Sequence, residues 1–145
     1  MTNPKEKKSW TFRGLIHYFT DDFTAVDKIT KAVATKEPLH LVPLISNFPA
    51  VDSIVYDSNK VLTCIQTTIK KGEHPIAVPG LLRVQRWFND QALAGLRPSK
   101  NDPWRFVFIV PSNMVSTFKK QRFQGDTDNN EWAGKVRQYV LGWNL

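Results

Sequence analysis

The chain has 145 residues, a length that fits about one domain, and its 41% hydrophobic and 12% aromatic content supplies enough apolar surface for a core, which excludes wholesale disorder. A single cysteine, Cys64, excludes an intrachain disulfide scaffold and a cysteine-based zinc site, and fits a reducing place of action. Twenty Lys+Arg against 13 Asp+Glu leave a net charge of +7, a balance that permits an anionic partner without naming one.

Residues 1–9 read as a flexible basic tail and 10–145 as one domain. The opening MTNPKEKKSW lacks the apolar core of a signal peptide, and no run of about 18 apolar residues is present to span a membrane. From 10 to 35 the spacing is helical, with Phe12, Leu15, Ile16, Phe19, Phe23, Val26, Ile29 and Val33 recurring every three or four residues. Thr20-Asp21-Asp22 offers an N-cap that divides this stretch in two. Lys36-Glu37-Pro38 ends it, because the residue before a proline avoids the helical region. Residues 39–45 are extended, with Pro43 pointing to an edge or a bend. Residues 51–56 and 61–70 read as strands joined in a hairpin through the turn cluster at 57–60, and 71–75 breaks the pattern. Leu81, Leu82, Val84, Trp87, Phe88, Ala92 and Leu93 form a second helical stripe. A loop at 95–103 leads to a buried strand at 104–110, bounded by prolines. Ser112 or Asn113 caps a helix running to 123, 125–130 is a loop, and 131–143 is a final helix. The expected order is α-β-β-β-α-β-α-α, a three-layer α/β fold with a mixed sheet of about four strands.

Polar residues within apolar strands are the first candidates for chemistry. Asp52 lies between Val51 and the Ile54-Val55 pair, and an unpaired buried carboxylate costs several kcal/mol. It therefore faces solvent at a strand end or has a cationic partner. Side chains alternate along a strand, so Leu62, Cys64, Gln66, Thr68 and Lys70 share one face. Gln66, Thr68 and Lys70 form a polar row next to the strand bearing Asp52. An acid on one strand and an acid or amide on its hairpin neighbour suit a hard cation such as Mg²⁺, and a nearby lysine can activate water.

His74, in the loop before Pro75, suits a phosphate contact or a purely structural place. His17 and His40 have no ligand-like spacing and read as structural, and Cys64 reads as a buried small apolar group. Among the five tryptophans, Trp10 is the one expected to be exposed. From Lys71 onward, eleven Lys+Arg stand against six acids, so the second half carries most of the positive excess. Lys119, Lys120 and Arg122, flanked by Phe118 and Phe123, are either the solvated face of an amphipathic helix or a phosphate grip. As a grip they would act with Arg83, Arg86, Lys135 and Arg137, and the binding would weaken steeply with salt.

Several stretches together resemble the carboxy-terminal domain of Crinkler and retrotransposon-hot-spot proteins, within the PD-(D/E)XK restriction-endonuclease-like superfamily. They are Asn47-Phe48-Pro49-Ala50-Val51-Asp52-Ser53, Ile65-Gln66-Thr67-Thr68 followed by His74-Pro75-Ile76, and Gly80-Leu81. Phe108-Ile109-Val110-Pro111, Phe118-Lys119-Lys120-Gln121-Arg122-Phe123 and Val136-Arg137-Gln138-Tyr139-Val140-Leu141-Gly142 complete the set, which spans about 39–145. The resemblance implies a restriction-endonuclease-like α-β-β-β-α-β core with a mixed four-stranded sheet and C-terminal helices. It also implies a secreted virulence effector of a eukaryotic microbe, acting inside the host cell, in the nucleus, on host DNA.

Carried across, Asp52 is the metal-binding acid for Mg²⁺ or Mn²⁺ and Gln66 the second group around the metal. Thr68 stands where the superfamily usually has a lysine, which leaves Lys70 or Lys71 to assist the water. The superfamily often adds a first-helix glutamate, whereas 10–35 offers only Asp21, Asp22 and Asp27. Two readings follow. One is metal-dependent phosphodiester hydrolysis by Asp52, Gln66, Thr68 and Lys70, with His74, Lys119, Lys120, Arg122, Lys135 and Arg137 holding nucleic acid. The other is a catalytically degenerate nuclease fold that binds DNA or a host protein and acts by occupancy.

Overall fold

The computed structural model describes residues 15–45, 48–58, 61–125 and 129–144. The expectations for the tail 1–9, for Trp10 and for the first turns of a helix from residue 10 lie outside them. The elements are β1 (Leu15–Phe19), α1 (Asp22–Thr35), β2 (Leu39–Pro43), β3 (Ser53–Tyr56), β4 (Leu62–Thr67), β5 (Ile76–Ala77), α2 (Val78–Arg86), β6 (Trp104–Pro111), β7 (Phe123–Gln124), α3 (Asn129–Lys135) and β8 (Val136–Trp143). Two 3₁₀ helices at Gln91–Leu96 and Ser112–Met114 join them. The class is α/β with a mixed sheet, as expected, but the main sheet has six strands, in the order β1-β2-β3-β4-β6-β8. β5 and β7 form a separate two-stranded pair.

Three expected helices are replaced wholly or in part. Leu15–Phe19 is a strand because its residues alternate: Phe19 is fully buried while Ile16 and Tyr18 are each 56% exposed. Val136–Trp143 is a strand in which Val136 and Gln138 turn to the core and Arg137 turns out. The expected helix at 112–123 reduces to a 3₁₀ turn at Ser112–Met114 and a further turn at 115–117, after which irregular chain runs into β7. The 81–93 stripe splits into α2, which begins three residues earlier with Pro79 in its first turn, and the 3₁₀ helix capped by the Asp90 side chain. β4 ends at Thr67, so Thr68, Ile69 and Lys70 belong to a loop and the expected strand face does not reach Lys70.

Sheet polarity sets the layering. β1 runs parallel to β2, β4 to β6 and β6 to β8, whereas β3 is antiparallel to both its neighbours. Five strands therefore point one way. The crossovers β1→β2, β4→β6 and β6→β8 all step across the sheet in the same sense, so right-handed connections place their helices on one face. That is observed: Ala25 and Ile29 of α1, Leu81 and Val84 of α2 and Trp132 of α3 share one core with Leu41, Ile54, Cys64, Phe106 and Phe108 of the sheet. The described helices thus form a single layer, not the expected two. On the opposite sheet face Val55, Ile65, Val107 and Tyr139 make a smaller buried cluster.

α1 begins where expected. The Asp21 carboxylate accepts the Thr24 N–H and Thr24 hydroxyl, both at 2.7 Å, and Lys36 in the left-handed region closes the other end. α1 is tied to α2 by Asp22, whose carboxylate accepts Arg83 Nε at 3.0 Å, Arg83 Nη2 at 3.2 Å and the Trp87 indole N–H at 2.8 Å. Partial burial disfavours the charged Asp22, but the Arg83 and Trp87 hydrogen bonds outweigh it and hold its pKa below 3.8. A lowered carboxylate pKa contributes stability above its unfolded value, and that contribution is lost as pH falls. Asp22→Asn is therefore expected to be less stable than wild type at pH 7 and to lose less stability as pH falls below 3.8, measured by urea unfolding across that range.

The approach to β3 is constrained by contact. Ala50 has φ 71, and a Cβ placed on Gly80 would overlap the Pro49 carbonyl, so α2 can lie against this turn only as glycine. Gly80→Ala is expected to destabilise by about 1–3 kcal/mol through overpacking. Ala50→Gly is expected to change stability by between zero and about +1.6 kcal/mol, since relief of about 1–2 kcal/mol of left-handed strain equals or exceeds a chain-entropy loss of about 0.4–1 kcal/mol. Urea midpoints of the two variants test both.

Candidate functional site

The shared polarity brings one set of chain ends together. Thr67, Pro111 and Trp143 end the parallel strands β4, β6 and β8, and Asp52 stands at the same edge because β3 runs the other way. In α/β sheets this carboxyl edge is where ligands sit.

Asp52 is exposed, so no burial cost needs a cation to offset it. Its N–H donates to the Ile65 carbonyl at 2.7 Å, and its Oδ2 accepts the Thr67 N–H at 2.7 Å. The carboxylate thus replaces the backbone partner that Thr67 lacks beyond the end of β3. Gln66 lies one position beyond the Ser53–Ile65 pair, so the expected pair does come to one end of the hairpin. Gln66 Oε1 is buried and has no hydrogen-bond partner among the described residues. Thr68 donates its N–H to the Ile109 carbonyl, and its Oγ1 accepts the Lys70 N–H at 3.2 Å. The Lys70 side chain is exposed.

The first-helix acids are engaged elsewhere: Asp21 caps α1, Asp22 holds Arg83 and Trp87, and Asp27 pairs with Lys31 at 3.1 Å. Among the described residues no group of three or more His, Cys, Asp or Glu side chains converges. The Mg²⁺ or Mn²⁺ implied by the resemblance would meet one carboxylate, half of it already hydrogen-bonded, and one neutral amide. Mg²⁺ held by protein and waters alone, without substrate phosphates, needs a stronger acidic set than this. The donor set does not fit a resident divalent cation.

The cationic residues are arranged differently. A cleft of about 700 Å³ is lined by Lys71, Lys119, Lys120 and Arg122 with Glu73, Asn113, Met114, Thr117 and Phe118. Asp52, Gln66, Thr68 and Lys70 are not in its lining. The weak Arg122–Glu73 pair spans 3.7 Å between exposed side chains, too exposed to cancel the cleft's charge. Lys135 and Arg137, expected to belong to the same grip, sit at the junction of α3 and β8, Lys135 ending the helix and Arg137 second in the strand. Arg137 lies level with Arg105, six strand residues or about 20 Å from the carboxyl edge. Lys135 pairs with Glu131 at 2.9 Å and lies over the Trp132 ring. Arg83 serves the Asp22 tie and covers Phe48 at 4.7 Å.

A buried amide chain holds the basic loop in place. Gln138, 2% exposed on the core face of β8, accepts the Gln121 N–H through Oε1 and donates Nε2–H to the Gln121 carbonyl, each at 2.8 Å. Gln121 Oε1 in turn accepts the His74 N–H at 2.6 Å. The His74 ring hydrogen-bonds the Lys70 carbonyl through Nε2 at 2.7 Å and stacks on Phe118 with centroids 6.1 Å apart. His74 is thereby a positioning residue for both walls of the cleft.

Two other titratable groups are silent, as their sequence context suggests. Burial pushes the Cys64 thiol to about 12 and lowers the His40 pKa. Glu73, Asn113, Met114 and Thr117 line the cleft although sequence reasoning gave them no site role; the last three are uncharged residues that carry no sequence signal for a site.

No family model matches the chain, and neither a curated protein nor a solved structure matches it. Geometry alone defines the class: a mixed-sheet α/β domain with a basic cleft at the carboxyl edge of its parallel strands.

Gln138→Leu leaves the buried N–H and carbonyl of Gln121 unpaired and is expected to lower stability by about 2–4 kcal/mol. Faster amide hydrogen exchange should accompany it at 118–122 and at His74. Unchanged exchange in those segments would remove Gln138 from its role as anchor of the cleft.

Proposed function

We propose that this chain is a nuclease-like domain that binds nucleic acid through its phosphate backbone and acts by occupying it. The observation that carries this reading is the cleft itself, where, among the described residues, Lys71, Lys119, Lys120 and Arg122 face one acid, Glu73, in about 700 Å³. Lysine and arginine at a phosphate chain release counterions, and that release gives affinity without sequence preference. The overall charge of +7 draws the same partner from a distance.

The resemblance to Crinkler-type carboxy-terminal domains supplies the setting: a secreted effector acting on nucleic acid in a host cell's nucleus. Hydrolysis by Asp52 and Gln66, which that resemblance also implies, would rest on a single carboxylate and the substrate's own phosphates, and no cleavage step is derived.

Binding of a labelled oligonucleotide across a salt series tests the proposal. The affinity should fall with salt on a log–log slope of about −0.7 to −0.9 per phosphate neutralised. The double variant Lys119→Glu/Lys120→Glu should bind at least tenfold more weakly, with a slope shallower by about two phosphates' worth. Lys135→Ala/Arg137→Ala should stay within about threefold of wild type. Salt-independent binding, or full affinity in the Lys119/Lys120 variant, would overturn the reading. So would Mn²⁺-dependent plasmid cleavage that disappears in Asp52→Ala, since the domain would then be an enzyme.

A further inference from the structure

Resting on the phosphate-backbone reading, we infer that the strand bound is single-stranded, with an unstacked base held against Trp143 while its phosphate lies in the basic cleft. A second cleft, of about 430 Å³, adjoins the first and shares Lys71, Asn113 and Met114 with it. Its other walls include Ile69, Pro111 and Trp143, and none of the described residues lining it is acidic. Ile69 is 70% exposed, an apolar side chain held in water at the rim of a cationic site.

Trp143 stands on a fixed platform. It is the last residue of β8, and its carbonyl accepts the Ser112 hydroxyl at 2.8 Å. Gly142 lets the turn after β6 come close, since a Cβ there would meet Val115 Cγ2 at 2.9 Å and Ser112 Cα at 3.0 Å. The strand end and the 3₁₀ turn are thus packed together, and the backbone that carries the indole is tied at Gly142 and at the Trp143 carbonyl.

The neighbouring clefts make two demands on one ligand: an anion for the lysines, and a flat apolar group for the tryptophan of the adjoining cleft. A nucleotide joins these groups through one sugar. In a duplex the base faces are covered by their own stack, whereas a single strand offers them to an aromatic platform, and the lysines follow its backbone. Asn113, which lines both clefts, stands between the two.

The test compares a labelled oligo-dT of about 15 nucleotides with a duplex of equal length at one salt concentration, by fluorescence anisotropy on the full chain. The single strand should bind at least tenfold more tightly. Trp143→Ala should lose about tenfold to hundredfold for the single strand and leave the duplex unchanged, while Trp143→Phe, which keeps a stacking face, should stay within about threefold of wild type. Equal affinity for the two forms would overturn the inference and leave the phosphate reading standing. So would an unchanged single-strand affinity in Trp143→Ala. Full affinity for both forms in Lys119→Glu/Lys120→Glu would instead remove the phosphate reading, and this inference with it.

Discussion

The structure of the basic edge depends on one buried side chain acting as backbone. Gln138 lies within the core face of β8, where a polar group left unpaired would cost about 1–3 kcal/mol. Its amide meets both main-chain groups of Gln121 at 2.8 Å, in the double pairing that a neighbouring strand would offer. The segment at 118–122 therefore needs no regular structure of its own to be fixed. Through Gln121 and His74 the same constraint reaches the loop at 70–74. Four exposed cations that would otherwise drift apart are held around one cleft, although their mutual repulsion opposes the arrangement.

Sheet polarity is the second constraint. With five strands pointing one way, the ends of β4, β6 and β8 and the start of β3 collect at a single edge. The acids of α1 also begin at this edge, but three strand positions away, and they are spent on holding the helix. Asp22 ties α1 to α2, and the strained turn at Ala50, pressed by Gly80, delivers Asp52 to the end of β4. There its carboxylate finishes a hydrogen-bond ladder. The carboxylate that resembles a metal ligand thus serves the fold, and the strongest chemical feature of the edge lies with the lysines beside it.

The sequence shows those elements whose signals are local. The hydrophobic run at 104–110 between prolines, the hairpin around 57–60, the cap at Asp21 and the stop before Pro38 all lie within a few residues of the structure they specify. β1 and β8 were hidden because Leu15 and Phe19, like Val136 and Val140, are four apart, a spacing that satisfies a helix face and a strand face alike. β-branched and aromatic residues in both segments favoured the strand. The segment at 112–123 departs from its expected helix for another reason. Its conformation is decided by Gln138, 17 residues beyond Gln121, and no local period reports a long-range hydrogen bond. The cations of the cleft were legible as a run, but their separation from Lys135 and Arg137 was not, because it follows from β8 being a strand. Trp143 shares that history: as a helix residue it would pack into the core, whereas as the end of β8 it lines the carboxyl edge.

Chemical-shift mapping on the isotopically labelled chain tests the central claim most directly, because it locates a ligand without presuming which residues bind. Titration with a short oligonucleotide should move the amide resonances of 69–74, 112–122 and 142–144, and leave those around Arg105 and Arg137 in place. Shifts confined to the Arg105–Arg137 end of the sheet, or no shifts at low salt, would contradict the account.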